Sequence, residues 1–309
     1  MLRGTGHFTK PSGRGCSAHH RGFDQRLARY RVNQADCSHA VSGYTRNTVT
    51  LNPHANTFSG SAQAMVLAAG RGERMRPLTD AFPKPLLQVR GHPLLWYPLQ
   101  ALAQAGVTAT VINTGWLGDQ IEPAFGSYLD SYSSAFAPVA TTASTHPMRL
   151  LYSHEGRGAG EALETAGGIM RALPVLDEVF WVAAGDVYVP DFVFSMEVYD
   201  NFKASNALAH IWLVPNPEHN QKGDFGLSAE GLALNFSGSL YTFSTIALYK
   251  RAFFEADWCP IPPGNPDSVK APLAPMLRAA MDHRLVSASI YEGLWVDVGT
   301  PERLAQLNV

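Results

Sequence analysis

A glycine-rich turn directly after a short apolar segment is the strongest chemical signal in this sequence. Residues 64–67 are apolar and predict a buried strand, and Gly70 and Gly72 follow at once. Glycines at such a point let the backbone approach phosphate oxygens closely and aim its N–H groups at them. The segment therefore predicts a phosphate-binding turn for a nucleotide, formed by Leu67, Ala68, Ala69, Gly70, Arg71 and Gly72.

Positive charge accompanies this turn. Arg71 and Arg74 lie within it and just after it, and guanidinium groups suit phosphate recognition. Lys84 stands between Pro83 and Pro85, on a stiff segment that would hold its ammonium near a reacting phosphate. The pattern is neither the GxxxxGK[ST] loop of ATPases nor the dinucleotide-binding GxGxxG, because it lacks residues that each requires. A tight turn with solvated arginines is the alternative interpretation.

Two aspartates stand at or near the ends of apolar segments. Asp186 follows Gly185 at the end of the apolar run 179–184, and Asp297 is flanked by valines on both sides. Mg²⁺ in proteins binds one or two carboxylates together with substrate phosphates, so both residues are candidate metal ligands. A strand-end turn, a helix cap or a salt bridge would also explain either aspartate. Whether the two converge depends on the order of strands in the sheet.

Alternating strands and helices must position these residues. The sequence pattern predicts strands at 108–112, 148–153, 179–183, 207–214 and 294–298, and helices at 93–105, 115–125, 163–173 and 271–283. This alternation indicates an α/β fold with a Rossmann-like central mixed, mostly parallel sheet flanked by helices. Residues 223–250 predict a small antiparallel part, and residues 127–147 predict a long surface loop. Thr300 and Pro301 predict the cap and first residue of a last helix.

The first 62 residues differ in composition from the rest. They hold eight basic and two acidic residues and show no hydrophobic period, which predicts a disordered basic N-terminal extension. We expect residues 63–309 to form one catalytic domain. The chain carries a formal charge of −2 and its basic residues concentrate in the extension, so the domain itself is acidic. An acidic domain does not favour nucleic acid as a partner.

The remaining composition concerns compartment and membrane association. The three cysteines form no CxxC pair, which favours a reducing cytoplasm over a disulfide-bonded, secreted protein. No apolar run approaches the roughly 20 residues that a membrane-spanning helix needs. We therefore expect a cytoplasmic monomer without a membrane partner.

The run LAAGRGERMRPLTDAFPKPLLQV resembles the signature of the sugar-phosphate nucleotidyltransferases, also called nucleotide-sugar pyrophosphorylases. The resemblance extends over about residues 63–307. It implies an enzyme that joins a nucleoside triphosphate to a sugar 1-phosphate and releases pyrophosphate. It further implies that Arg74 and Lys84 are catalytic and that Asp186 and Asp297 bind Mg²⁺.

Further runs within that family resemblance bear on the substrates. They are INTGWLGDQIE, LETAGG, KGDF and LWVDVGTPERL, and they imply transfer of a uridylyl group from UTP to N-acetylmuramate α-1-phosphate in peptidoglycan recycling. The resemblance implies nucleotide contacts at Lys84, Glu155, Thr165 and Gly167, and sugar contacts at Glu164, Asp224 and Ser244. It also places the N-terminus of the helix from residue 163 against the nucleotide. Judged from the residues alone, some of these positions could equally be ordinary cap, turn or strand residues: Glu155, Glu164, Thr165, Asp224 and Ser244.

Other functions stay open at this point. GTP with mannose 1-phosphate, or UTP with glucose 1-phosphate, would use the same catalytic residues with a different pocket. A nucleotide-sugar sensor on the same fold is a third possibility, although such a protein would be free to lose Arg74, Lys84, Asp186 and Asp297. The sequence contains neither GxSxG nor HExxH, so serine-hydrolase and zinc-protease chemistry find no support.

Overall fold

The computed structural model describes residues 62–129, 147–156 and 162–309. Residues 1–61 of the predicted basic extension and most of the predicted loop at 127–147 lie outside these ranges. In the described ranges no helix is long and apolar enough to cross a membrane.

The strands of the described residues alternate with helices along the chain, as predicted. In chain order they are β1 (Gln63–Ala68), β2 (Gln88–Val89), β3 (His92–Pro93), β4 (Ala109–Thr114), β5 (Tyr128–Leu129), β6 (Met148–His154), β7 (Val179–Ala184), β8 (Val187–Tyr188), β9 (Ala209–Val214), β10 (Gly226–Leu227), β11 (Ala233–Leu234), β12 (Thr242–Lys250), β13 (Val286–Ile290) and β14 (Val296–Asp297). The helices are α1 (Leu78–Ala81), α2 (Trp96–Gln104), α3 (Ile121–Phe125), α4 (Glu164–Ala172), α5 (Met196–Ala204), α6 (Leu273–Asp282) and α7 (Pro301–Leu307).

The main sheet has the order β13-β9-β12-β7-β1-β4-β6-β5. The pairs β1–β4, β1–β7, β4–β6 and β9–β13 are parallel, whereas β12 runs antiparallel to β7 and β9, and β5 antiparallel to β6. The mixed, mostly parallel sheet predicted from the sequence is thus confirmed. The expected antiparallel part at 223–250 is smaller than predicted, because β12 joins the main sheet and only β10 and β11 form a separate pair.

Strand β1 lies at the centre of the sheet because it is apolar on both faces. Met65 and Val66 are fully buried on opposite faces, each within a different hydrophobic core cluster. Its neighbours β4 and β7 are buried along their whole lengths. The carboxyl ends of these parallel strands meet at one edge of the sheet, which is where such folds bind ligands.

A smaller cluster supports the turns at this edge. Met75, Leu94, Tyr188 and Val298 belong to it, and it joins the segment after β1 to β8 and the end of β14. The apolar residues of this cluster therefore bring together chain segments that are more than 200 residues apart.

Several element boundaries differ from the prediction. Helix α2 begins at Trp96 rather than at residue 93, because His92 and Pro93 pair with β2 in a hairpin. The helix predicted at 115–125 shortens to a 3₁₀ turn and α3, and Gly115 instead lies so close to β1 that a Cβ would be 2.5 Å from Ala69 O. Helix α5 and strand β13 were not predicted. Thr300 caps α7 by accepting the Arg303 N–H, as expected.

Candidate active site

The glycine-rich turn after β1 wraps around Thr79. Gly72 has a φ of +65°, and a Cβ there would lie 3.1 Å from Thr79 Cγ2. The Thr79 hydroxyl donates to the Gly72 carbonyl at 2.8 Å and holds the turn in this shape. Around Gly70, by contrast, no heavy atom of the described residues would lie within 4 Å of an added Cβ, so its backbone is open to a ligand. The turn is therefore rigid at one glycine and accessible at the other.

A cavity of about 510 Å³ opens beside this turn. Predicted site residues that line it are Leu67, Ala68, Ala69, Gly70, Gly72, Arg74, Lys84, Glu155, Glu164, Thr165 and Asp186. Asn113, Ala184, Thr245 and Gly299 also contribute to the wall. A pocket of this size at the carboxyl ends of the central strands can hold a nucleotide.

Lys84 joins the two predicted metal ligands. Its Nζ lies 2.7 Å from Asp186 Oδ2 and 3.6 Å from Asp297 Oδ1, and the lysine side chain is only 8% exposed. The convergence follows from the short β8–β14 pair, in which Asp297 is in register with Val187, the residue after Asp186. Residues far apart in sequence thus present two carboxylates to one ammonium group.

Asp297 has further basic neighbours. Oδ2 lies 3.5 Å from Arg303 Nη1, 3.5 Å from His219 Nε2 and 3.8 Å from Arg74 Nη2. Burial, followed by the nearby Arg303 guanidinium, lowers the pKa of His219 below its ordinary value, so at neutral pH this imidazole adds little charge. The sequence analysis identified neither His219 nor Arg303. A cation one turn into the helix after Asp297 was the available signal for Arg303.

The donor set suits a hard divalent cation that is shared with substrate. In the part of the chain that the structure describes, no group of three or more His, Cys, Asp or Glu side chains could hold a metal by itself. Asp186 and Asp297 nevertheless offer two carboxylates at one point, and Mg²⁺ needs no more when phosphate oxygens and water complete its shell. The carboxylates thus fit the implied ion.

Glu155 lines the cavity, is nearly buried and is hydrogen-bonded within the protein. Its Oε1 accepts from the Asn113 amide, and its Oε2 accepts from the Leu163 N–H at 2.7 Å. Burial raises the pKa of its carboxyl, and these two hydrogen bonds act in the opposite direction. Asn113 was missed as a site residue. Its signal was a polar side chain near the end of the all-buried strand β4.

Arg71 does not line the cavity. Its guanidinium stacks on Trp116 at 3.5 Å from the ring centroid and donates to the Thr79 carbonyl at 3.0 Å. The side chain therefore stabilises the turn. Its positive charge was expected to contact phosphate, but it contacts Trp116 and the Thr79 carbonyl instead. Arg74, whose side chain is 68% exposed, remains as the arginine of the turn that lines the wall.

The start of α4 differs from the expectation that its free N–H groups face a nucleotide. The N–H groups of Ala166 and Gly167 both bond the Ala271 carbonyl, so the expectation is wrong at these two positions. Gly167 allows this approach, because a Cβ there would lie 2.6 Å from Val269 O. Glu164 and Thr165, the two residues directly before them, do line the cavity.

The predicted sugar contacts at Asp224 and Ser244 are occupied within the protein. Asp224 Oδ2 accepts from the Phe243 N–H at 2.8 Å, and the Ser244 hydroxyl donates to Trp212 O at 2.7 Å. Neither residue lines the cavity. The sheet is irregular at this point of β12, and Thr245, with a φ of +65°, lines the cavity in place of its neighbour.

Two proteins of known activity are similar to this chain over most of its length. The N-acetylmuramate alpha-1-phosphate uridylyltransferase of Neisseria meningitidis serogroup B is 42% identical to this chain over 249 residues, which cover 79% of the chain and 96% of that protein. The enzyme of the same name from Caulobacter vibrioides is 30% identical over 257 residues, covering 77% of the chain and 92% of that enzyme.

A solved structure supports the fold. A Bacillus anthracis chain described as a glucose-1-phosphate thymidylyltransferase superposes with a TM-score of 0.60 at 19% identity, covering 80% of this chain and 94% of that one. A sequence model described as "Nucleotidyl transferase" matches residues 63–233, more than half of the chain. The glycine turn, Lys84 and Asp186 line one cavity. Because the sequence model and both similar enzymes match most of the described domain, the chain belongs to the nucleotidyl transferase family and is a nucleotidyltransferase.

Proposed function

We propose that this protein transfers the uridylyl group of UTP to N-acetylmuramate α-1-phosphate, giving UDP-N-acetylmuramate and pyrophosphate. The observation that carries the proposal is Lys84, whose ammonium lies within 4 Å of both Asp186 and Asp297 beside a nucleotide-sized cavity. The sugar and nucleotide follow the two similar enzymes of Neisseria and Caulobacter.

The reaction is a displacement at the α-phosphorus of UTP. An anionic oxygen of the sugar 1-phosphate forms the new P–O bond, the bond from the α-phosphorus to the bridging oxygen of the β-phosphate breaks, and pyrophosphate leaves with that electron pair. No proton transfer is needed, because the attacking oxygen is already ionised. Such chemistry depends on positioning and on charge neutralisation.

The residues at the cavity match these needs. Backbone N–H groups of the open turn at Gly70 can bind the β- and γ-phosphates, and Arg74 lies at the same wall to stabilise the leaving pyrophosphate. Lys84 is held by burial at the junction of the carboxylates, where it would offset charge on the α-phosphate or on the attacking phosphate.

Asp186 and Asp297 would hold Mg²⁺ in this proposal. When bound, the ion neutralises charge on phosphate oxygens and orients them for displacement. Both carboxylates also have a basic partner within the protein, Lys84 for Asp186 and Arg303 for Asp297. We further propose that the protein is a cytoplasmic enzyme of peptidoglycan recycling.

The deciding experiment is pyrophosphate release with MgCl₂, in which UTP, GTP, CTP and dTTP are each combined with the 1-phosphates of N-acetylmuramate, glucose and mannose. We expect turnover to be largely confined to UTP with N-acetylmuramate α-1-phosphate. Faster turnover with another pair would replace the proposed substrates and leave the chemistry in place. An absence of turnover with every pair would contradict the proposed function and favour a nucleotide-sugar sensor.

A further inference from the structure

A chain of buried hydrogen bonds connects the phosphate side of the cavity to the opposite wall. Asn113, near the end of β4, accepts from the Ala68 N–H at 2.7 Å and donates to Glu155 Oε1. Glu155 in turn accepts from Leu163 N–H through Oε2. Asn113 is 3% exposed and Glu155 is 5% exposed, yet both line the cavity. This chain of hydrogen bonds therefore ends in a carboxyl group at the cavity wall.

The direction of each hydrogen bond in this chain is determined by the backbone. The Ala68 N–H can only donate, so the amide oxygen of Asn113 faces Ala68 and its NH₂ group faces Glu155. The Leu163 N–H can also only donate, so both oxygens of Glu155 act as acceptors. A carboxylate, which carries no proton, meets both demands at once.

Neighbouring groups keep this carboxyl group in place, and burial, which raises its pKa, is opposed by its two hydrogen bonds. A Cβ at Gly168 would lie 2.2 Å from Glu155 Oε1, so the glycine leaves just enough room for the side chain. Arg171 on α4 is the charged group that favours ionisation, and it opposes the effect of burial. Each carboxylate oxygen retains a lone pair beyond its internal hydrogen bond.

The ligand that this surface recognises must donate a hydrogen bond. A carboxylate repels phosphate groups, so the nucleobase rather than the triphosphate belongs at this wall. Uracil presents a ring N–H to such an acceptor, whereas the corresponding ring nitrogen of cytosine is itself an acceptor. Two acceptors facing each other leave both unsatisfied, and this is the kind of mismatch that discriminates strongly between ligands.

We propose that Asn113 is a positioning residue that holds Glu155 as a hydrogen-bond acceptor for a nucleobase ring N–H, and thereby selects UTP over CTP. The inference rests on the proposed function in one respect, that the cavity binds a nucleoside triphosphate. Through Ala68, the same amide also couples the base side of the cavity to the phosphate-binding turn.

The test is equilibrium binding of UTP and of CTP to the full chain by titration calorimetry with MgCl₂ and no sugar phosphate. For Asn113→Ala we expect the Kd for UTP to rise about tenfold or more, because a hydrogen bond to a charged group is lost. The preference for UTP over CTP should shrink as well. The matched control is Asn235→Ala, which removes an exposed amide bonded to Asp282 and should leave both affinities unchanged.

A second variant separates positioning from general damage to the fold. In Asn113→Asp the introduced carboxyl can donate to Glu155 only while it is protonated, and the neighbouring carboxylate raises its pKa. UTP affinity of this variant should therefore recover as the pH falls, whereas the wild-type affinity should not. Melting temperatures of both variants show whether either has simply unfolded.

Two results would overturn the inference. One is an Asn113→Ala variant, or, if that variant does not fold, an Asn113→Asp variant at high pH, that binds UTP with wild-type affinity and the wild-type preference over CTP. The other is a wild-type protein that binds UTP and CTP equally. Selective UTP binding that depends on Asn113, but without pyrophosphate release from any sugar 1-phosphate, would support the inference and count against the proposed function alone.

Discussion

Lys84 Nζ lies 2.7 Å from Asp186 Oδ2, and this contact joins the glycine-turn segment to the end of β7 across 102 residues of sequence. The lysine is nearly buried, so its ammonium cannot relax into water. The contact thus compensates the charge of a carboxylate that is otherwise open to substrate and metal.

Replacing Lys84 tests whether its charge serves the reaction. We expect Lys84→Met to lower kcat by about 10²–10³-fold, which is the usual effect of removing one group that stabilises charge in a transition state. Lys84→Arg keeps the charge but not the geometry and should retain part of the activity. Steady-state pyrophosphate release measures both. A Lys84→Met enzyme within a few fold of wild type would contradict a catalytic role.

Asp297 tests the proposed metal site. Asp297→Ala should reduce turnover by more than about a hundredfold, because metal stabilisation of transition-state charge amounts to several kcal/mol. The fold should remain intact, since the Asp297 side chain is 20% exposed and contacts charged groups. Binding of Mn²⁺, followed by electron paramagnetic resonance, should weaken in parallel. Asp282→Asn, on an exposed helix end, serves as the control, and a normal rate for Asp297→Ala would exclude the assignment.

The two glycines of the turn should respond differently to alanine. Gly72→Ala forces a side chain into a left-handed conformation 3.1 Å from Thr79, so we expect a loss of about 1–2 kcal/mol in unfolding free energy. Gly70→Ala meets no neighbour in the protein and should keep its melting temperature while KM for UTP rises. Thermal unfolding and kinetics together separate these effects. Equal losses of stability would show that the turn is not built as described.

Substitutions of Arg71 and of Arg74 should also have different effects on stability and on turnover. Arg71→Ala removes the stacking on Trp116 and the hydrogen bond to Thr79 O, so its melting temperature should fall while KM for UTP changes little. Arg74→Ala should leave stability close to wild type, because the side chain is mostly exposed, and should lower kcat. If Arg71→Ala instead impairs turnover as much as Arg74→Ala does, its guanidinium must reach the phosphates during the reaction.

Because His210 is buried, we expect the protein to lose stability in acid. Burial lowers its pKa from 6.5 to about 4. The unfolded chain therefore takes up a proton near pH 6.5 that the folded protein takes up only near pH 4, and stability is lost as the pH falls between these values. The loss from pH 7 to pH 5 should be on the order of 1–2 kcal/mol.

The His210 prediction is checked by denaturant unfolding at several pH values. His210→Gln should flatten the dependence between pH 7 and pH 5, whereas His283→Gln, which removes an exposed imidazole, should not. A wild-type protein whose unfolding free energy is independent of pH in this range would contradict the prediction.

The local sequence was sufficient to predict the features that depend on neighbouring residues. The apolar run of β1 followed by Gly70 and Gly72 predicted a buried strand and its turn, and Thr300 with Pro301 predicted the start of α7. Such features depend on backbone preferences and on hydrophobic periodicity, which a few consecutive residues determine. Strand β13 was missed because Ser287, Ala288 and Ser289 carry a weak apolar signal.

Tertiary structure alone decided which side chains face the cavity. The sequence gives Arg71 and Arg74 the same chemistry, yet Trp116, from another segment, draws the first away from the site. In the same way, the Ala271 carbonyl accepts hydrogen bonds from N–H groups at the start of α4, and Thr245 instead of Ser244 lines the cavity wall. The meeting of Asp186 with Asp297 depends on β8 pairing with β14. Partners so distant in sequence are chosen by packing and by strand order, which no local pattern encodes.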